Sequence, residues 1–577
     1  MHPGNASSAQ EINVQARATL AGLTSSLSPQ SGVLAWLDWV SHLALAPGKQ
    51  SELCELALRQ ASDLAGYLRQ CLLAGPGEPH ACIEPPARDR RFADPEWRHW
   101  PFNLWHQAFL LNQHWWEEAT RAVPGVDRHH EKVADFAARQ CLDLFSPGNV
   151  LATNPVALRR TVSEGGANLQ RGLRHLLDDL RRHLGGFPPA GTEDFVVGRD
   201  VAVTPGKVVL RNRLIELIQY TPTTATVHPE PVLVIPAWIM KYYILDLSPH
   251  NSLVKYLVDQ GFTVFCLSWK NPGADERELG MDDYLRLGLH AALTAINTIR
   301  PKRKVHAAGY CLGGTLLSIA AAAMARDGDE RLASLSLFAA QTDFSEPGEL
   351  GLFIDESQVS LLEAQMQEKG YLRAEQMAGA FQMLRSYDLL WSKMVNDYLL
   401  GDRRPLNDLM AWNADATRMP ARMHSQYLRR LFLDDDLSEG RYPVDGRPVS
   451  LGGITLPVFS VGTEADHVAP WRSVHKLHYL SPAELTFVLA SGGHNAGIVS
   501  EPGHPRRSYR IQTRRQGDSY LDADAWREAT QPQEGSWWPE WTTWLRERSG
   551  APVKPPRTSA KGYPVLGDAP GRYVLEK

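Results

Sequence analysis

Up to about residue 190 the apolar positions recur at three- and four-residue intervals, the spacing that lines one face of an α-helix. ELCELALRQASDLAGYLRQCLL (52–73) and PFNLWHQAFLLNQHWWEEATRAV (101–123) carry the pattern most clearly, with a polar, proline-containing link, EPPARDRRFADPEWRHW, between them. A third helical run, ALRRTVSEGGANLQRGLRHLLDDLRRHL (157–184), is interrupted at Gly165-Gly166. Gly, Pro and acidic residues then cluster in GGFPPAGTED (185–194), the composition of a linker.

Beyond the linker the period changes. Short β-branched runs, IELIQY (215–220), PVLVI (231–235), TVFCL (263–267), KVHAAG (304–309), SLSLF (334–338), LPVFSV (456–461) and ELTFVL (484–489), are expected strands. Helical runs fit between several of them, among them NSLVKYLVDQ (251–260), MDDYLRLGLHAALTAINTI (281–299) and LLSIAAAAMA (316–325). This alternation predicts an α/β fold: a mostly parallel sheet with helices on both faces. The interval from about 343 to 450 breaks the rhythm with helical, aromatic sequence and reads as a cap inserted between two strands. The expected organisation is a helical N-terminal domain over 1–190 and a catalytic α/β domain over 191–577. The Pro- and Gly-rich tail from about 550 is expected to wrap the surface.

Composition narrows the function classes. A formal charge of −5 provides no global cationic field for nucleic acid or anionic membrane. The N-terminus, MHPGNASSAQEINVQ, has neither a basic nor an apolar leader region, and Ala18–Leu37 carries too many Ser, Thr, Pro and Gln residues for a membrane span. A cytoplasmic protein without transmembrane segments is therefore expected. Seventeen tryptophans demand a large core or a large apolar surface, and six cysteines without a CxxC pair exclude a disulfide scaffold. Neither H-E-x-x-H, P-loop nor dinucleotide fingerprint is present, so no metal or nucleotide cofactor is expected. His99, His106 and His114 read as one helix face rather than a metal site.

One cysteine differs from the rest. Cys54, Cys71, Cys82, Cys141 and Cys266 read as buried, inert packing, but Cys311 stands in KVHAAGYCLGGTLLSIAAAAMA, between a strand and a helix. Gly309-Tyr310-Cys311-Leu312-Gly313 is a nucleophile elbow, G-x-Nuc-x-G, with cysteine for the usual serine. The glycines let the backbones crowd, the helix N-terminus favours thiolate, and the Leu312 N–H points to where an oxyanion would form. In this fold the acid and the histidine follow the nucleophile in sequence. Asp466, in LPVFSVGTEADHVAPW, and His494, in ELTFVLASGGHNAGI, both leave the C-terminal ends of strands. Asp343 after SLSLF is a rival acid, and His467 is a candidate support for the pair. A second oxyanion donor is expected from the loop after PVLVI, from the backbone of Trp238 or Ile239.

GYCLGG, with PAWIMKYYILDLSPHNSLVKYLVDQGFTVFCLSWKNP (236–272) upstream, resembles the polyhydroxyalkanoate synthases. So do RDRRFADPEWRHWPFNLWHQAFLL (88–111), SPGNVLATNP, GGANLQRGL, LRSYDLLWS, WNADATRMP, EADHVAPW, SGGHNAGIVSEPG and GSWWPEWTTWL. The length and the attached helical domain look like the single-subunit type. The resemblance implies an α/β-hydrolase fold and places the family's catalytic Cys, Asp and His on Cys311, Asp466 and His494. Two positions depart from the family's usual pattern, Met240 for Asn and Tyr387 for Asn, and residues 1–80 carry no motif.

The resemblance further implies polymerisation of (R)-3-hydroxyacyl-CoA into polyester with release of CoA, the thioester being substrate rather than cofactor. Its implied partners are the growing chain and the surface of polyester granules in the cytoplasm, with a homodimer as the assembly. A Cys-dependent thioesterase or esterase and an inactive granule-binding scaffold are the competing readings. Most tryptophans lie before 120 or after 520, and from this they are expected to serve interdomain or granule-facing surface.

Overall fold

The computed structural model describes residues 8–24, 26–73, 80–86, 89–384 and 390–577. These form two compact units, one of residues 1–26, 191–378 and 406–577, the other of 27–190 and 379–405. Both units are discontinuous, so the single cut near 190 suggested by the linker omits an exchange of two segments. Helix α1, Ser8–Leu23, packs within the unit that holds 191–378 and 406–577, while part of the cap interval belongs to the helical unit.

The helical unit contains α2 (Pro29–Ala44), α3 (Pro47–Leu73), α4 (Phe102–Thr120), α5 (Arg128–Leu144), α6 (Pro155–Ser163) and α7 (Ala167–Leu184). Gly166 separates the last two at φ +85°, the left-handed backbone that glycine adopts without strain. The 393–403 segment joins this unit through charge. Lys393 pairs with Asp179 at 2.9 Å, and Arg403 pairs with Asp178 and Asp179 at 3.0 and 2.9 Å.

The other unit is built on an eleven-stranded sheet. Its strands are β1 (Gly206–Arg211), β2 (Ile215–Tyr220), β3 (Val232–Ile235), β4 (Val264–Trp269), β5 (Val305–Tyr310) and β6 (Leu332–Phe338). After the cap come β7 (Val458–Thr463), β8 (Leu485–Ala490), β9 (Ser508–Arg514), β10 (Gln533–Glu534) and β11 (Gly567–Asp568). The spatial order is β10-β9-β8-β7-β6-β5-β3-β4-β2-β1-β11. The strands from β4 through β3, β5, β6 and β7 to β8 are parallel. Those outside them are antiparallel. The seven strands expected from sequence are all present, and the six parallel ones are mainly apolar and almost entirely buried because both faces are covered. The sequences of β1 and β9 are charged and half-exposed and lack such a run, which is why the apolar pattern does not mark them.

Two expectations are corrected. The five tryptophans after 520 are core residues: Trp526, Trp537, Trp538, Trp541 and Trp544 are all buried. In helix Trp538–Glu547, Trp541 and Trp544 pack on Phe338 and Phe459 of the sheet and Trp538 on Tyr256, so their area is used inside the unit rather than on a surface. Among the five background cysteines only Cys266 is buried, whereas Cys54 and Cys141 are exposed on α3 and α5. Helical spacing alone does not reveal which face they occupy. No helix among the described residues is long and apolar enough to cross a membrane.

Candidate active site

Strand β5 ends in a turn so tight that Cys311 takes φ +52° and ψ −125° before helix α8, Leu312–Asp327, begins. Positive φ at a non-glycine residue costs roughly 1–3 kcal/mol and persists only where the surroundings enforce it. Here they do. A Cβ on Gly309 would run into the Gly314 Cα, and one on Gly313 would run into the Ile235 carbonyl and lie 2.7 Å from that of Pro236. Gly313 thus lets the start of α8 sit against the end of β3. The Cys311 N–H donates to the Phe338 carbonyl at 2.8 Å, tying the elbow to β6.

Asp466 and His494 leave β7 and β8, neighbouring parallel strands. The loops are joined by the Ala465 N–H donating to the Gly492 carbonyl at 2.9 Å. Asp466 Oδ2 accepts from His494 Nδ1 at 2.8 Å and from the Thr463 hydroxyl at 3.0 Å. Its Oδ1 accepts the N–H groups of Val468 and Ala469 at 2.9 and 2.8 Å. Burial opposes ionisation of Asp466, but His494 and these donors outweigh it and hold the carboxyl below its usual range.

The His494 side chain is mostly buried. Burial alone would push the imidazole down, yet the Asp466 carboxylate and the Cys311 sulfur carry it well above its ordinary value. With Nδ1 engaged by Asp466, Nε2 is the nitrogen left for Cys311. The sequence-derived Cys311, Asp466 and His494 therefore converge.

Asp343 does not join them. Its carboxylate accepts from Ser345, from Lys476 at 3.0 Å and from Tyr479 at 3.1 Å. The His467 carbonyl accepts the Glu349 N–H at 2.9 Å. Leu312 opens α8, and Trp238 and Ile239 lie in the loop after β3 that Gly313 brings close to the elbow. Met240 in that loop pairs with Ala416, while Tyr387 lies outside the described residues. Of the three histidines read as one helix face, His99 precedes α4 and is exposed, whereas His106 stacks on Phe92 and His114 bonds Gln60.

The supports of His494 are not evident from sequence. The indole N–H groups of Trp537 and Trp538 donate to the carbonyls of Gly497 and Ile498 at 2.9 and 3.0 Å. Thr463 both donates to Asp466 and packs against Gly497, which has no room for a Cβ. Beside the histidine, the Tyr310 hydroxyl donates to Asn495 Oδ1 at 2.5 Å, and Asn495 donates to Asn413 of the cap interval at 3.4 Å. GSWWPEW is visible as a motif, but nothing in its letters says that its indoles hold the histidine loop.

A nucleophile elbow, an acid and a histidine at the C-terminal ends of a parallel sheet define a protein of the α/β-hydrolase fold. A family model for that fold matches residues 230–501. Two more, described as poly-beta-hydroxybutyrate polymerase (PhaC) N-terminus and poly-beta-hydroxybutyrate polymerase N terminal, match residues 88–257 and 7–49. The second extends the likeness into the first 80 residues, beyond the motifs legible in the sequence. The chain is 43% identical to a poly(3-hydroxyalkanoate) polymerase of Methylorubrum extorquens over 86% of its own length and 82% of the relative's. It is 36% identical to a poly(3-hydroxyalkanoate) polymerase subunit of Cupriavidus necator over 94% and 91%, respectively. The chain belongs to the poly(3-hydroxyalkanoate) polymerase family.

Proposed function

We propose that this acyltransferase polymerises (R)-3-hydroxyacyl-CoA through a covalent thioester on Cys311, with His494 as proton carrier and Asp466 as its support. The observation that carries the reading is His494 held between the Asp466 carboxylate and the Cys311 sulfur on a strained elbow.

His494 Nε2 takes the proton from Cys311 as Sγ attacks the thioester carbonyl. Backbone N–H groups of Leu312 and of Trp238 or Ile239 stabilise the oxyanion. When the C–S bond to CoA breaks, the proton passes from His494 to the departing sulfur, and free CoA leaves. One thioester has replaced another, so the step is nearly balanced in energy. The 3-hydroxyl of a monomer or chain then attacks the acyl-Cys311 carbonyl. The new C–O bond forms, the Sγ–C bond breaks, and the hydroxyl proton returns to sulfur through His494. Asp466 fixes the tautomer that leaves Nε2 free to accept. The CoA thioester is substrate, and the scheme requires no cofactor. Polymer outcompetes hydrolysis where the site excludes water, and the cap interval is the segment assigned to that task.

Granule association is supported by apolar helix faces in the helical unit. Leu173, Leu176, Leu177, Leu180 and Leu184 line one side of α7 and are exposed, as are Val33, Trp36, Leu37 and Val40 on α2. The homodimer rests on the family alone, and light scattering of the purified chain tests it.

Purified protein with 3-hydroxybutyryl-CoA separates the activities. Polymer together with CoA is expected; free hydroxy acid with CoA would make it a hydrolase, and no CoA release would make it a scaffold.

A further inference from the structure

The segment 567–577 crosses from the sheet edge to the loop beyond β3. Gly567 and Asp568 pair with Val208 and Lys207 of β1. The chain then turns at Gly571 over the fully buried carboxylate of Glu216, which accepts the N–H groups of Arg572 and Tyr573 at 2.7 and 3.0 Å. The Tyr573 hydroxyl donates to the Asn212 carbonyl, and Val574 is buried.

The last residues of the segment form a clasp. Lys241, 3% exposed, donates its ammonium to the carbonyls of Glu576 at 2.6 Å and Tyr573 at 3.3 Å. The Glu576 carboxylate accepts the Asn271 N–H at 3.2 Å, and the Lys577 ammonium pairs with Asp415 at 3.3 Å. Arg418 donates to the Lys577 carbonyl at 2.9 Å. The segment therefore grips the loops after β3 and β4 and the 415–418 stretch together.

Those same loops carry the acyl-transfer backbone. The carbonyls of Trp238 and Ile239 accept from Thr417, through its hydroxyl at 2.6 Å and its N–H at 3.3 Å. The Lys241 carbonyl accepts from the Trp412 indole at 2.8 Å, and that of Pro236 from the Trp269 indole at 2.8 Å. Fixing the carbonyls of a loop fixes the direction of its N–H groups. A buried ammonium stripped of its acceptors carries a large desolvation penalty, so loss of the clasp would drive Lys241 toward water and move the loop with it.

We propose that residues 573–577 are a strap that sets the 236–241 loop, through Lys241, in the conformation that receives the oxyanion, making Lys241 a positioning residue for acyl transfer. This rests on the reading of that loop as the second oxyanion donor. Burial lowers the Lys241 ammonium to about 8, with Asp415 and Glu576 opposing the fall and Lys577 and Arg418 adding to it, so it remains charged at neutral pH.

The test uses the full chain carrying Lys241→Met and, separately, a truncation lacking 573–577. Three readouts are compared: kcat and KM for CoA release from 3-hydroxybutyryl-CoA, and the rate of Cys311 alkylation by iodoacetamide, which needs no oxyanion site. Both variants should lose about tenfold or more in kcat, with KM and alkylation rate within about threefold of the parent. Parent-like kcat in both variants overturns the proposal. So does alkylation slowed in parallel, because the strap would then support the elbow and not the loop. Cys311→Ser run alongside separates the levels. Full CoA release by it removes the site itself, whereas its inactivity beside fully active strap variants overturns the strap alone.

Discussion

The Trp537 indole donates to the carbonyl of Gly497, three residues beyond His494, at 2.9 Å. A core tryptophan thus fixes the loop that carries the imidazole, and Trp538 repeats the device one residue further on. Trp537→Phe keeps the ring's burial but strands a buried carbonyl, a loss of about 1–3 kcal/mol. The expected outcome is a kcat lowered about tenfold through misplacement of His494, read by CoA release. A parent-like kcat would separate the indole from the site.

The two candidate acids should part company on substitution. Asp466→Asn favours the wrong tautomer of His494, and kcat should fall by about 10³-fold or more with little change in KM. Asp343→Asn touches Ser345, Lys476 and Tyr479, so kcat should stay within about threefold while stability drops by about 1 kcal/mol as Lys476 loses one of its two carboxylate partners and keeps Glu346. Steady-state kinetics and urea midpoints distinguish these results.

Strain at the elbow makes an unusual stability prediction. With Cys311 at φ +52°, glycine is relieved where alanine is not. Cys311→Gly should therefore be more stable than Cys311→Ala by about 1 kcal/mol, both being inactive. Equal urea midpoints would mean that the turn stores no strain.

His475 and His478 stack with ring centroids 4.3 Å apart beside Phe487 and Trp526. Burial pushes them down from 6.5 to about 4 and about 3. A base whose pKa falls on folding stabilises the fold above its unfolded value, and that contribution is lost as pH drops. Between pH 6.5 and about 4, each imidazole should weaken the fold by up to about 1.4 kcal/mol per pH unit. His475→Phe with His478→Leu should flatten the acid limb of stability, followed through tryptophan fluorescence; an unchanged slope between pH 7 and 5 refutes it.

Much of this fold was legible because a parallel sheet buried on both faces writes itself as apolar runs. The elbow was legible because crowded backbone admits only glycine at Gly309 and Gly313. Asp466 and His494 followed from their places after strands. The sequence could not show which segments exchange between units, because residues 379–405 join the helical unit through Lys393 and Arg403, charges that read locally as solvated surface. Nor could it show that tryptophans after 520 face inward, since Trp541 finds its partner, Ser336, on a strand some two hundred residues away in sequence.

The central claim is a covalent acyl group on Cys311. Intact-protein and peptide mass spectrometry after a brief reaction with 3-hydroxybutyryl-CoA should find hydroxybutyryl mass on the Cys311 peptide, labile to hydroxylamine. The label should be absent from Cys311→Ala and undiminished in Cys266→Ser. Acyl mass on another residue, or polymer formed by Cys311→Ala, would contradict the account.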